Sequence, residues 1–164
     1  MNAPSTAVSR LHPGLRLLFH APVHLYRWRL GWLLGRRFLL LSHIGRRSGM
    51  RRETVLEVLA YRQDGPEAIV MSAFGSNAAW LRNIEANPIA EVTIGSQRFP
   101  AVHRFLKTDD AVEVLKGYLQ RNRLIAPVVR FVLSRLVDFT FDGSHEQCRR
   151  LVEQLPLIGF RARS

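Results

Sequence analysis

Residues Phe38 to Tyr61 read FLLLSHIGRRSGMRRETVLEVLAY, and the fold turns on how this stretch divides. Phe38-Leu-Leu-Leu-Ser-His-Ile44 is a short apolar run and reads as a buried strand. Gly45 to Gly49 is a tight, basic turn, and residues 52–61, rich in Thr, Val, Leu and Tyr, read as a second strand. So short a connection makes the pair antiparallel, because parallel strands need a crossover of a dozen residues or more.

The pattern continues downstream. Asp64-Gly65-Pro66 is a turn signal and Ala68 to Ala73 a third strand. Ser76 and Asn77 are N-cap candidates for a short helix over 78–86, ended by Asn87-Pro88. In 89–94, Ala90, Val92 and Ile94 alternate with Glu91 and Thr93, as in a half-buried strand. Gly95-Ser96 then forms a hairpin to a strand over 97–106, where Pro100 suggests an edge or a bulge. Ala111, Val114, Leu115, Tyr118 and Leu119 have helical spacing behind a Thr108 cap, and Ile125 to Leu136 repeat it. Residues 138–142 read as a last short strand, and Ser144 with Gln147 as a capping box before the stripe Cys148, Leu151, Val152, Leu155. A doubly wound sheet would place a helix after nearly every strand. The expected class is therefore α+β: a small closed or split β-barrel of about six mostly antiparallel strands flanked by helices.

Upstream, residues 1–12 read as disordered, and 13–20 and 22–34 as helices or one kinked helix starting at Pro13 and Pro22. The expected organisation is one domain over 13–164, with an N-terminal helical segment (13–36), a barrel core (38–106) and C-terminal helices (108–157). At 164 residues the chain suits one domain better than two.

The net charge of +11 is uneven. Residues 1–52 hold ten arginines and no carboxylate, whereas the rest of the chain is nearly neutral. Arginine is preferred almost throughout, so only its placement informs. No secretory signal is legible, and Leu25 to Leu41 is interrupted by four arginines where a membrane span needs roughly 20 mostly apolar residues. Residues 13–37 are instead a candidate peripheral contact at the inner face of the cell membrane, against the plainer reading of a helix packed on the domain with its arginines outward. The single cysteine, Cys148, excludes an internal disulfide and fits a reducing cytoplasm. Nucleic acid is not expected as a partner, since no recognition helix or aromatic sheet motif accompanies the basic pI.

Two features carry chemistry. In Gly45-Arg-Arg-Ser-Gly-Met-Arg-Arg52 two glycines permit tight geometry while four arginines and a serine offer donors that grip phosphate or carboxylate. This reads equally as an anion-binding turn or as a solvated hairpin tip. In the following helix Trp80 and Asn83 share a face, so a ring platform with a nearby amide competes with a core tryptophan. The six histidines lack metal-ligand spacing, and neither Ser48 nor Ser72 sits in a nucleophile elbow. An anion grip and a flat-ring site without an acid, base or nucleophile suit an enzyme whose cofactor supplies the reactive atom.

Leu41-Ser-His-Ile-Gly-Arg-Arg-Ser-Gly49, Arg52-Glu-Thr-Val-Leu-Glu-Val58 and Ala79-Trp-Leu-Arg-Asn-Ile-Glu-Ala-Asn-Pro-Ile-Ala-Glu-Val-Thr-Ile-Gly95 together resemble the deazaflavin-dependent nitroreductase family, over roughly residues 22–107. The resemblance implies a split barrel like that of FMN-binding flavin reductases. It also implies hydride transfer from reduced coenzyme F-420 to a quinone, nitroaromatic or other unsaturated small-molecule acceptor. By the same resemblance Arg46, Arg47, Ser48, Gly49 and Arg52 hold the phosphate and oligoglutamate tail, Thr54 and Leu56 line the ring site, and Ser72, Trp80 and Asn83 lie near ring or acceptor. Ser72 is the one catalytic candidate; the proton donor is otherwise unassigned. The sequence departs from the family at His43-Ile44, where threonines are more usual, and has no match for the acceptor-pocket tyrosines. Alternatives are an FMN-dependent split-barrel reductase and a non-enzymatic cofactor-binding or membrane-surface protein; the expected state is a monomer or homodimer.

Overall fold

A computed structural model describes residues 36–88 and 90–163. The expected disorder of 1–12, the helices over 13–20 and 22–34 and all but the end of the candidate membrane segment lie outside the described residues. Six strands, β1 (Phe38–Ile44), β2 (Arg51–Arg62), β3 (Glu67–Met71), β4 (Ala90–Ile94), β5 (Gln97–Phe105) and β6 (Leu157–Ala162), close into a barrel in the order β1-β2-β3-β6-β5-β4. Every pairing is antiparallel. Four α-helices accompany them among the described residues: α1 (Ala79–Ala86), α2 (Thr108–Arg121), α3 (Ala126–Leu136) and α4 (His145–Gln154). None is long and apolar enough to cross a membrane.

Strand alternation divides the apolar residues between two cores. Leu39, Leu41, Leu56, Val58, Val92 and Phe160 point into the barrel, and Trp80, Leu81 and Ile84 of α1 join them. On the outer face, Leu59, Ile69 and Leu157 meet Val112, Leu115, Leu133, Cys148 and Leu151 of the helices. Strict alternation would not send both Val58 inward and Leu59 to the helices with Ala60 beside it. A register shift between Val58 and Ala60 supplies the extra residue, as a β-bulge does, and Tyr61 packs against the barrel interior again.

Four local expectations need correction. Residues 138–142 are not a strand. Phe141 is buried among the helices, its N–H donating to Ser134 Oγ at 2.8 Å, and among the described residues the six strands close on one another without this segment. The sixth strand is instead Leu157–Ala162, between β3 and β5, so the barrel draws on chain beyond 38–106 and the C-terminal third is not wholly helical. Ser76 and Asn77 form a 3-10 turn, and α1 starts behind Ala78 without a side-chain cap; likewise Thr108 is the first residue of α2, behind Lys107. The capping box is half formed: Ser144 Oγ accepts from the Gln147 N–H, but Gln147 Oε1 accepts from Asp142 N–H.

Pro100 follows the physics expected of it. It lies opposite Glu91, but β6 pairing with β5 begins only at Ala101, so its missing N–H breaks no ladder on that side. Its carbonyl accepts from Arg163 N–H at 2.9 Å.

Candidate functional site

The basic turn joins β1 to β2 beside the capped mouth of the barrel. Gly45 N–H donates to Met50 O and Gly49 N–H to Gly45 O, each at 2.8 Å, and Gly49 takes a left-handed φ of 64°. Gly45 is needed for a different reason. A Cβ there would fall 2.8 Å from Ser48 Oγ and 2.9 Å from Arg52 Nε, so the absent side chain lets Arg52 lie against the turn.

The turn is anchored to α1 through one amide. Asn83, buried, accepts with Oδ1 from the backbone N–H of Arg46 at 3.2 Å and from its guanidinium at 3.0 Å. Asn83 Nδ2 donates to His43 Nδ1 at 3.2 Å, and His43 Nε2 lies 3.3 Å from Thr54 Oγ1. This hydrogen-bond pattern assigns the imidazole proton to Nε2, which donates to the threonine. Burial first, and the Arg52 charge second, push the His43 pKa below its ordinary 6.5, so the ring is neutral at pH 7. Arg46, Asn83, His43 and Thr54 thus form one polar chain from the exposed turn into the barrel wall.

Charge is distributed unequally around it. Arg51 pairs with Glu91 at 2.8 Å, and Arg98 reaches the same carboxylate at 2.6 Å. Arg46, Arg47 and Arg52 have no carboxylate partner among the described residues, and all three are exposed with Ser48 and Gly49. An exposed cluster of guanidiniums, hydroxyl and turn amides is a donor set for phosphate or carboxylate. The residues present therefore fit the anionic part of a deazaflavin coenzyme.

The β1–β2 turn and its hydrogen bonds bring together Arg46, Arg47, Ser48, Gly49, Arg52, Thr54 and Asn83, whereas the other three expected residues are buried and take no part in that polar chain. Leu56 lies in the barrel interior, and Trp80, 7% exposed, packs on Phe160 with centroids 6.3 Å apart; tryptophan as core anchor is the geometry found. Ser72 is fully buried, and its hydroxyl donates to Gly75 O at 2.6 Å while its N–H donates to Pro156 O. That hydroxyl shapes the loop before α1. His43 is the residue that the site reading passed over. Its signal was its register: two positions after the inward Leu41, it puts a polar ring where the alternation demands an apolar one. No group of three or more His, Cys, Asp or Glu among the described residues is arranged to hold a metal ion.

Comparison with known proteins agrees with this architecture. A solved F-420-H2-dependent reductase has a TM-score of 0.50 at 17% identity, over 77% of this chain and 96% of its own. A chain described as a domain-swapped dimer gives 0.51 at 15%, over 86% and 100%. A protein of unknown function from Agrobacterium tumefaciens gives 0.52 at 14%, over 94% of this chain and 58% of its own. At these identities the likeness is one of fold, the split barrel of the α+β class. No curated protein matches the chain. The sequence itself goes further: residues 23–125, more than half of the chain and a span that includes the turn, the polar chain and the hairpin, match one family model, and the chain belongs to the F-420H(2)-dependent quinone reductase family.

Proposed function

We propose that the β1–β2 turn holds the anionic tail of coenzyme F-420, and that the chain reduces a quinone, nitroaromatic or related unsaturated small molecule beside it. Family membership makes the protein an F-420-dependent oxidoreductase; the acceptor and the residue roles are the proposal. The observation that carries it is the set of exposed arginines, Arg46, Arg47 and Arg52, left without carboxylates on a turn braced by Asn83. Reduced F-420, when bound, supplies a hydride from its deazaflavin ring.

The chain's residues act by binding and orientation. Arg46, Arg47, Arg52, Ser48 and the Gly49 amide present donors to phosphate and carboxylates. Asn83 fixes Arg46 twice, which limits the side-chain entropy lost on binding. Neutral His43 orients the Thr54 hydroxyl at the inner end of the polar chain, where an uncharged donor or acceptor can face a heterocycle. Leu56, Trp80 and Ser72 hold the shape of the barrel and of the loop before α1.

The test is oxidation of reduced F-420, followed by absorbance with menadione or a nitroaromatic as acceptor, beside parallel titrations with F-420 and FMN. Turnover with F-420 binding and negligible FMN binding supports the proposal. Tight FMN binding without F-420 binding overturns it in favour of an FMN-dependent reductase.

A further inference from the structure

We propose that the outer face of α3, with the 3-10 turn that leads into it, is a docking surface for an anionic phospholipid bilayer. The helix is pinned by one side only: Leu133 is buried, and Val129 and Leu136 pack, in the core shared with α2 and α4. The opposite side carries Leu124, 92% exposed, Val128, 63%, and Phe131, 60%, with Ile125 beside them. Positions 124, 128 and 131 follow the i, i+4, i+7 spacing, so these side chains form one stripe. A contiguous apolar stripe on a solvent face marks an interaction surface.

Its rim is cationic. Arg123 is exposed next to Leu124, and the Arg135 guanidinium lies 5.1 Å over the Phe131 ring. Arg130 faces Asp142 and is not counted. Between Glu113 and Asp138 the sequence has no carboxylate at all.

The charge selects the occupant. A second copy would bring the same cationic rim on a chain of net charge +11, and residues 1–35 hold four arginines and no carboxylate, so neither offers the rim a counter-charge. An anionic bilayer offers phosphates to Arg123 and Arg135 and acyl chains to the stripe, as for other cationic amphipathic helices lying in an interface. This surface is distinct from the candidate contact over 13–37, and the inference does not depend on which cofactor the barrel takes.

The experiment is co-sedimentation of the full chain with phosphatidylglycerol–phosphatidylcholine vesicles and with phosphatidylcholine alone. The wild type should bind the anionic vesicles selectively. Leu124→Ser/Phe131→Ser should weaken binding by about tenfold or more, and Arg123→Ala/Arg135→Ala by roughly fivefold per arginine, with unfolding midpoints retained because all four residues are exposed. In the Phe131→Trp variant, emission should shift to the blue on vesicle addition and be quenched by brominated lipid. The proposal is overturned if the wild type does not bind, or if the serine variant binds as the wild type does. It is equally overturned if the serine variant abolishes a lipid-free dimer, or if the emission of the Phe131→Trp variant responds to polyglutamate and not to vesicles.

Discussion

Two arginine clusters sit on this barrel, and they have opposite fates. On the wall formed by β3, β6 and β5, the buried Glu67 carboxylate accepts from Arg104 Nε at 2.6 Å and Nη2 at 2.8 Å, with Arg161 at 3.3 Å and Arg62 at 3.6 Å. Gly159 makes room for it, since a Cβ there would lie 2.5 Å from Glu67 Oε1. At the β1–β2 turn, Arg46, Arg47 and Arg52 face solvent with no such carboxylate among the described residues. The first cluster is closed by the protein's own anion and serves the fold. The second has its geometry set by glycines and an asparagine, leaving the charge open for a ligand. The two clusters hold similar numbers of arginines and differ in whether the protein supplies a counter-ion.

The largest effect is expected at the closed cluster. Glu67→Ala leaves three arginines facing one another and should cost about 2–4 kcal/mol in chemical denaturation, somewhat below a fully buried pair because Arg62 and Arg161 are half exposed. F-420 affinity should hold at temperatures where the variant is folded. Burial pushes the Glu67 carboxyl upward, but the Arg104 hydrogen bonds and the three guanidinium charges outweigh it and hold it below the usual 4.5. Its stabilisation is therefore complete above pH 4.5 and lost as pH falls through the folded value, a loss that denaturation curves of the variant should lack.

Next comes Arg52→Ala at the open cluster. It should weaken F-420 binding by about 1.5–3 kcal/mol, the value of a hydrogen bond to a charged group, and move stability by no more than roughly 0.5 kcal/mol. A smaller, mixed effect belongs to Asn83→Ala, which strips Arg46 and His43 of a buried partner. It should lower stability by about 1–2 kcal/mol and weaken the cofactor as well. If it changed stability alone, the link between core and turn would be broken.

The smallest effect is a pH dependence. His43 is depressed in the folded state, so the unfolded chain takes up its proton first as pH falls below 6.5. Its contribution is present above that pH and is lost on acidification through the folded value. Imidazole titration by NMR should place His43 below 6.5, and Arg52→Ala should move it upward by removing the second cause of its depression.

Local periodicity made most of this fold legible. The run at Phe38–Ile44, the alternation of Ala90, Val92 and Ile94, and the stripes of α2 and α4 each contain their own signal. Leu157–Ala162 does not. It is four buried residues with a glycine among them, and its partners β3 and β5 lie roughly 50 to 90 residues earlier in the chain, so no local pattern announces the strand that closes the barrel. Phe139-Thr-Phe141 has strand-like alternation but no unpaired edge to join. The site divides the same way. Arg46 to Arg52 advertised an anion grip by composition, whereas the bond from Arg46 to Asn83, 37 residues apart, exists only once α1 is laid over the barrel mouth. That same packing sets Trp80 against Phe160 in the barrel core.

The most direct test of the open cluster is an F-420 fluorescence titration of wild type and Arg46→Ala/Arg47→Ala, each paired with a denaturation curve. Two charged hydrogen bonds lost should weaken binding by about 100-fold or more, while stability falls by no more than about 1 kcal/mol through loss of the Arg46–Asn83 side-chain bond. Equal affinity in the two proteins would contradict the assignment of the turn to the cofactor's anionic tail.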